Sequence, residues 1–314
     1  MDLRVFYAHG RPKEQCQQRL TDAWRAYSAL FEGCIFHTCA GSGKEIVMNI
    51  GIFDSGIGGM TLLHQALVLM PQENFIFYAD TDHVPYGTKS REQVASYVDE
   101  VIRFMIAHNC KAVVIACNTA TAVAADQMRS KYCDLPIIGI EPAVKPAVVE
   151  SDGKRVMVIA TPLTVHEKRL QKLLERVDDE HLVDLLELPG LVEFAERGEF
   201  VSERVTAYLK ERFAGYALDQ YGELVLGCTH FNYFKDTFQS LLPQGIHMID
   251  GSLGTVRQLM RVLESKGALA QSAADGSAGG QVRYFVSGRE ICDTEGLEKI
   301  RKLHERLERM SVIQ

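Results

Sequence analysis

The sequence has no apolar run approaching the roughly 20 residues a membrane-spanning helix needs, and its start lacks the short apolar core of a secretion signal. The expectation is a cytoplasmic protein without a membrane partner. It also lacks any cluster of Lys and Arg, and its formal net charge is −7. A nucleic-acid or anionic-lipid surface needs such a cluster, so neither partner is expected. Nucleotide loops are missing too. Asp54-Ser55-Gly56-Ile57-Gly58-Gly59 has neither the G-x-G-x-x-G spacing nor a Lys-Ser or Lys-Thr ending, and Gly41-Ser42-Gly43-Lys44-Glu45 ends in Glu. Its glycines are expected to permit close backbone approach to a small ligand. The 8 cysteines contain no C-x-x-C pair, which argues against a disulfide framework in a chain this large. Cys34, His37 and Cys39 have no second ligand pair at zinc-finger spacing, so no metal is expected.

What is present is the composition of an ordinary globular protein, in a chain of 314 residues that is long enough for two α/β units. Residues 1–48 show no clean helix or strand period and read as an N-terminal extension. From Asn49 the pattern becomes regular. Asn49–Phe53 is an apolar strand, the glycine-rich turn follows, and Met60–Met70 has helical spacing. Strands are predicted at Phe75–Ala79, Ala112–Ala116 and Pro136–Ile140, with helices at Arg91–Ala107 and Thr119–Lys131. Such alternation implies parallel sheets covered by helices. After a break near Val149–Gly153, a second series opens with Arg155–Ala160 and reaches Glu223–Leu226. Ala270–Gly280 reads as a flexible loop, Val282–Val286 as a last strand and Glu295–Arg309 as a closing helix.

The two halves echo each other. Val113-Val114-Ile115-Ala116-Cys117-Asn118-Thr119 and Leu224-Val225-Leu226-Gly227-Cys228-Thr229-His230 each place a cysteine just past an apolar strand, followed by hydroxyl or amide residues. Ligands of parallel α/β sheets bind beyond the carboxyl ends of the strands, where both cysteines fall. Each cysteine also begins a turn into a helix, where free N–H groups and the helix dipole favour a thiolate over its usual pKa of about 8.5. Two thiols facing each other across a cleft suit inversion of a carbon centre, one removing a proton while the other returns it. Taken singly, either cysteine reads better as a core residue. Asp54 ends the first strand and His230 follows Cys228 by two positions, so each can tune a thiol; equally, Asp54 can cap a helix and His230 can be a solvated turn residue.

The motifs Phe53-Asp54-Ser55-Gly56-Ile57-Gly58-Gly59, Pro85-Tyr86-Gly87, Ala116-Cys117-Asn118-Thr119-Ala120-Thr121, Gly139-Ile140-Glu141-Pro142 and Leu226-Gly227-Cys228-Thr229-His230 occur in one order. In that order the sequence from about Asn49 onward resembles the bacterial glutamate racemases of the cofactor-independent aspartate/glutamate racemase superfamily. The resemblance implies two pseudo-symmetric α/β domains, each a parallel sheet flanked by helices, with the active site in the cleft between them. The first domain would span 49–147, completed by 253–314, and the second 148–252. It implies that Cys117 takes the α-proton from D-glutamate and Cys228 from L-glutamate, with Asp54 beside the first thiol and His230 beside the second. Substrate contacts carried over are Asp54, Ser55, Tyr86, Gly87, Asn118, Thr119, Thr229 and His230, with Thr161 and Thr164 matching more loosely. Glu193 corresponds to an acidic residue near the second thiol. No cofactor, a homodimer and supply of D-glutamate to peptidoglycan synthesis are also implied.

Departures are Leu163, Phe231 and Asn232, where the family often has Gly, Tyr and Pro; none removes an acid or base. Aspartate racemisation is the nearest alternative, but there the second cysteine is typically followed by Thr-Glu, whereas His230 stands here. A catalytically silent amino-acid-binding protein is the alternative from another class, and the intact thiol pair argues against it.

Overall fold

The computed structural model describes residues 47–270 and 280–313. Nearly all of the 1–48 extension, with Cys34, His37 and Cys39, lies outside the described residues, as does most of the Ala270–Gly280 loop. The strands are β1 (Asn49–Asp54), β2 (Asn74–Ala79), β3 (Cys110–Ile115), β4 (Ile137–Gly139), β5 (Arg155–Ala160), β6 (Val183–Glu187), β7 (Tyr221–Leu226), β8 (His247–Asp250), β9 (Val282–Val286) and β10 (Arg289–Glu290). The helices in the first half are α1 (Met60–Leu69), α2 (Arg91–Ala107), α3 (Asn118–Lys131) and α4 (Val144–Glu150). They continue with α5 (Pro162–His166), α6 (Lys168–Val177), α7 (Pro189–Glu196), α8 (Glu203–Phe213), α9 (Lys235–Leu241), α10 (Ser252–Ser265) and α11 (Thr294–Ser311).

Two sheets form, ordered β10-β9-β2-β1-β3-β4 and β6-β5-β7-β8. Within them, β2-β1-β3-β4 and β6-β5-β7-β8 share one plan, and every ladder among those eight strands is parallel. The likeness extends to detail: β1 shifts register against β3 at Asn49/Ile50, and β5 shifts against β7 at Arg155/Val156. The pseudo-symmetry expected from the cysteine echo is therefore a property of the topology. One difference is that β10 pairs antiparallel with β9, so the first sheet is not wholly parallel.

Period-2 alternation sets the core. Ile50, Ile52, Ala112 and Val114 from the first sheet, with Met157, Ile159, Leu224 and Leu226 from the second, belong to one continuous apolar core. Alternate residues face outward into separate clusters: Phe53, Val113 and Ile115 lie under α2 and α3, and Val156, Val158 and Val225 under α4 and α6. Both faces of the central strands are buried, which is why they read as unbroken apolar runs. Each fully buried Leu or Ile there contributes about 1.5–3 kcal/mol. The edge strands β6 and β8 were not foreseen. Asp184 sits inside β6, bound to the Arg155 guanidinium and the Tyr221 hydroxyl, and β8 begins at exposed His247. Edge strands half-turned to solvent tolerate such polar residues and lose the apolar signature.

Candidate active site

β1 runs parallel to β3 and β5 runs parallel to β7, and the chemistry-bearing residues stand at the carboxyl ends of these strands. Asp54 closes β1, Cys117 follows β3, Thr161 follows β5 and Cys228 follows β7. Cys117 is the N-cap of α3, its sulfur accepting the Ala120 N–H at 3.4 Å. Cys228 instead opens a 3-10 turn, Thr229–Phe234, without a side-chain capping bond. Both thiols are free and nearly enclosed, at 6% and 7% exposure.

Around Cys117 the Ser55 hydroxyl lies 3.5 Å from the sulfur and 3.5 Å from Asp54 Oδ1, so one hydroxyl spans thiol and carboxylate. Asp54 is fully buried. Its Oδ1 accepts the Gly56 N–H at 2.9 Å and its Oδ2 accepts the Thr229 hydroxyl at 3.0 Å. Burial lifts Asp54 to about 6, with His230, the Gly56 N–H and Thr229 pulling the other way. Burial also pushes the Cys117 thiol up to about 12, and the neighbouring Asp54 charge adds to the rise. This corrects the expectation of a base ready near neutral pH: one capping N–H and a helix end do not offset removal of a thiolate from water.

The second thiol has different company. His230 Nδ1 is 3.7 Å from Cys228 Sγ, and His230 Nε2 is 2.6 Å from Glu196 Oε1. Burial disfavours the imidazolium, but hydrogen bonds to Cys228 and Glu196 overcome this and raise His230 well above the ordinary histidine value. His230 is 1% exposed, not a solvated turn residue. Glu196 Oε1 also accepts the Ile57 N–H at 2.9 Å, and the Tyr233 hydroxyl donates to the Ile57 carbonyl at 3.1 Å. The peptide after the Asp54-Ser55-Gly56 loop is thereby held from the second half of the chain on both sides.

A third cluster closes one end of the site. The hydroxyls of Thr119, Thr161 and Thr164 lie within 2.9–3.1 Å of one another, joining the first turn of α3 to the start of α5. Gly87 packs on Thr161 so closely that a Cβ there would lie 2.8 Å from the threonine Cβ. Tyr86 is buried, its hydroxyl donating to Asp80 Oδ2 at 2.6 Å. Asn118 is buried with its side-chain oxygen lacking a protein partner, which leaves an acceptor for a ligand ammonium group.

Two thiols in equivalent positions of a duplicated sheet are thus joined through Ser55, Asp54 and Thr229. Residues 59–259 match the Asp/Glu/Hydantoin racemase family. The chain belongs to this family. Among its relatives is the glutamate racemase of Lachnospira eligens, 50% identical over 268 residues that cover 85% of this chain and 100% of the relative. Glutamate racemase 2 of Bacillus subtilis is 47% identical over 263 residues, 83% of this chain and 97% of that protein. Among solved structures, glutamate racemase from Francisella tularensis in complex with D-glutamate superposes with a TM-score of 0.68 at 27% identity, covering 82% of this chain and 95% of that one. Like these racemases, the chain is an amino-acid racemase with α/β domains of parallel-sheet core. Among the described residues, no helix is long and apolar enough to cross a membrane.

The structure joins Asp54, Ser55, Cys117 and Thr229, sets His230 beside Cys228 and gathers Gly87, Thr119, Thr161 and Thr164 in one cluster, whereas Glu141 turns to Arg169 and Glu193 stands apart. Glu193 is 58% exposed and pairs with Arg197, while Glu196, one turn later, is 16% exposed and meets His230. Position 196 follows buried Val192 at i+4 and so lies on the inward side of α7, a face that only the structure identifies. The glycines also stand tight against the protein's own chain. A Cβ on Gly58 would lie 2.4 Å from Thr229 Oγ1, and one on Gly56 would lie 1.9 Å from Glu196 Oε1. They make room for the opposite half of the protein's own chain. Asp80, which holds the Tyr86 hydroxyl, was missed; it stands six residues before Tyr86 on a loop whose path the sequence does not reveal.

Proposed function

We propose that this racemase interconverts L- and D-glutamate by a two-base mechanism without a cofactor, Cys228 taking the α-proton from L-glutamate and Cys117 from D-glutamate. The observation that carries the reading is the unequal setting of two equivalent thiols. Cys117 is a buried thiol pushed up to about 12, which suits a proton donor. Cys228 lies 3.7 Å from His230, whose pKa is raised well above the ordinary histidine value by its hydrogen bonds to Cys228 and Glu196, so this thiol has a proton partner that Cys117 lacks. In the L-to-D direction, the Cys228 sulfur takes the Cα proton and the Cα–H electron pair becomes a carbanion. The Cys117 S–H then gives its proton to the opposite face. The reverse reaction starts with the Cys117 proton moved to Asp54, the Ser55 hydroxyl lying between them, and a His230 proton moved to Cys228. The Cys117 sulfur then takes the Cα proton of D-glutamate and the Cys228 S–H gives its proton to the opposite face.

The relatives named above support glutamate as substrate. Asn118, Thr119, Thr161, Thr164, Thr229 and the backbone at Ser55 and Gly87 supply hydroxyl, amide and N–H groups for its carboxylates and ammonium group. No lysine or arginine is among them. The first domain is assigned to 49–147 completed by 253–314, in keeping with β9 joining β2, and the second to 148–252. By family likeness the working unit is a cytoplasmic homodimer, and D-glutamate feeds peptidoglycan synthesis.

The test is incubation of purified protein with L-glutamate in heavy water without added cofactor. D-glutamate carrying one deuterium at the α-carbon is expected. Absence of D-glutamate, or D-glutamate that retains its original hydrogen, rejects the mechanism.

A further inference from the structure

The groups proposed to react are almost sealed. Cys117 and Cys228 are 6% and 7% exposed, Thr119 is 3% and Asp54 is 0%. A molecule the size of glutamate reaches them only if the walls of the cleft part. The wall at the threonine end consists of two short segments. One is Tyr86–Arg91 from the first half, which carries Tyr86 and Gly87. The other is Thr161–Glu167 from the second half, which carries Thr161 and Thr164. They touch where Gly87 packs on Thr161, and at the far end of each stands an ion of opposite sign. The Arg91 guanidinium binds the Glu167 carboxylate, with side chains 54% and 4% exposed respectively.

Both ions are placed by more than local helix preference. Glu167 is the N-cap of α6, where a negative charge is favoured, yet its side chain makes no capping hydrogen bond. Arg91 is the first residue of α2, the end of a helix where a positive charge is disfavoured. Its compensation is the carboxylate across the cleft. When the walls part, Glu167 regains water; when they close, Arg91 is the cation recorded against it among the described residues.

We propose that Arg91 and Glu167 form an ionic clasp that holds the two substrate-contacting segments together, making them a positioning pair for the reaction. The proposal rests on the reading of this cleft as the substrate site. The clasp sets how often the cleft is closed and leaves the proton transfers untouched. Its loss therefore weakens apparent substrate binding by the factor by which the closed population falls.

The test uses the full chain with Arg91→Gln, Arg91→Lys, Glu167→Gln and the Arg91→Gln/Glu167→Gln pair. KM and kcat are measured in both directions, together with backbone hydrogen exchange of 86–92 and 161–168 without ligand. Arg91→Gln is expected to raise KM about tenfold for both enantiomers, a shift of about 1.4 kcal/mol, with kcat within threefold of the parent. Exchange in both segments should rise by a similar factor. Arg91→Lys should recover most of the loss. The double variant should be less impaired than Arg91→Gln alone, because that single change leaves a buried carboxylate without its counter-ion. Parental KM and exchange in Arg91→Gln overturn the clasp, as does a loss confined to kcat or a double variant whose defects simply add. If the parent protein fails to racemise glutamate, the functional reading falls, while the exchange comparison still decides the clasp.

Discussion

The Thr229 hydroxyl donates to Asp54 Oδ2 at 3.0 Å, tying the residue after the second cysteine to the carboxylate that neighbours the first. The two halves of the site are thus one electrostatic unit. Thr229 helps hold down an Asp54 that burial has already lifted to about 6. Removing that donor in Thr229→Val therefore drives Asp54 higher. A reaction that needs the ionised carboxylate will then lose activity at a higher pH on the acid side. The expected result is an acid limb of kcat/KM displaced upward from near 6, with a roughly tenfold loss at neutral pH. An unmoved inflection contradicts the role given to Asp54.

Cys117→Ser and Cys228→Ser should each abolish racemisation in both directions, by at least about a thousandfold, since a serine hydroxyl in a dry site is a far weaker acid than a thiol. One-way exchange of the α-hydrogen should survive in a direction-dependent manner. Cys117→Ser is expected to retain wash-in of deuterium from L-glutamate, and Cys228→Ser from D-glutamate, read by mass spectrometry of the recovered enantiomer. Near-parental racemisation by either variant would falsify the two-base assignment.

Glu196 accepts from both His230 and the Ile57 N–H, so Glu196→Gln acts on both halves of the chain. The neutral amide no longer supports an imidazolium, and the His230 pKa should fall toward its ordinary value. The kcat from L-glutamate, which relies on Cys228 as base, should drop roughly ten- to a hundredfold more than the kcat from D-glutamate, with KM for L-glutamate falling in step because kcat/KM must stay equal for two enantiomers. Glu193→Gln, at an exposed position, should leave both directions within twofold. Equal effects of the two substitutions would place the acidic partner elsewhere.

His64 on α1 and His304 on α11 are buried with ring centroids 5.9 Å apart. Burial lowers His64 to about 4 and His304 well below its ordinary value, the latter also through the charge on His64. A histidine depressed in the fold contributes stability above its unfolded pKa of about 6.5, and that stability is lost as pH falls toward the folded value. Between pH 7 and pH 5, His64 alone accounts for a loss of about 2 kcal/mol. Denaturant unfolding of His64→Gln at the two pH values should show a correspondingly smaller drop, and an identical drop would mean His64 does not titrate in this way.

The legible parts share a physical origin. Strands β1, β3, β5 and β7 are buried on both faces, so their apolar runs and the loops ending them stood out, and Cys117 and Cys228 were found because each closes such a run. Helices Arg91–Ala107 and Met60–Met70 followed from apolar spacing alone; in the structure the former opens on a capping box at Ser90 and Gln93 and the latter ends at Leu69. The edge strands β6 and β8 did not stand out, because solvent on one side lets polar residues into the pattern. Glu196 was displaced by one turn onto Glu193, since two glutamates three apart look alike until the buried face of α7 is known.

By itself, the sequence determined the alternation of strand and helix, its duplication, and the identity of the two sulfur atoms, because these depend on local period and on neighbours along the chain. Only the tertiary structure decided the protonation landscape. The rise of Cys117 to about 12, the raised pKa of His230 beside Glu196 and the Asp54–Thr229 link all arise from groups that are distant in sequence meeting where water is excluded. Desolvation and Coulomb energy depend on distance and burial, and neither quantity is written in the order of residues.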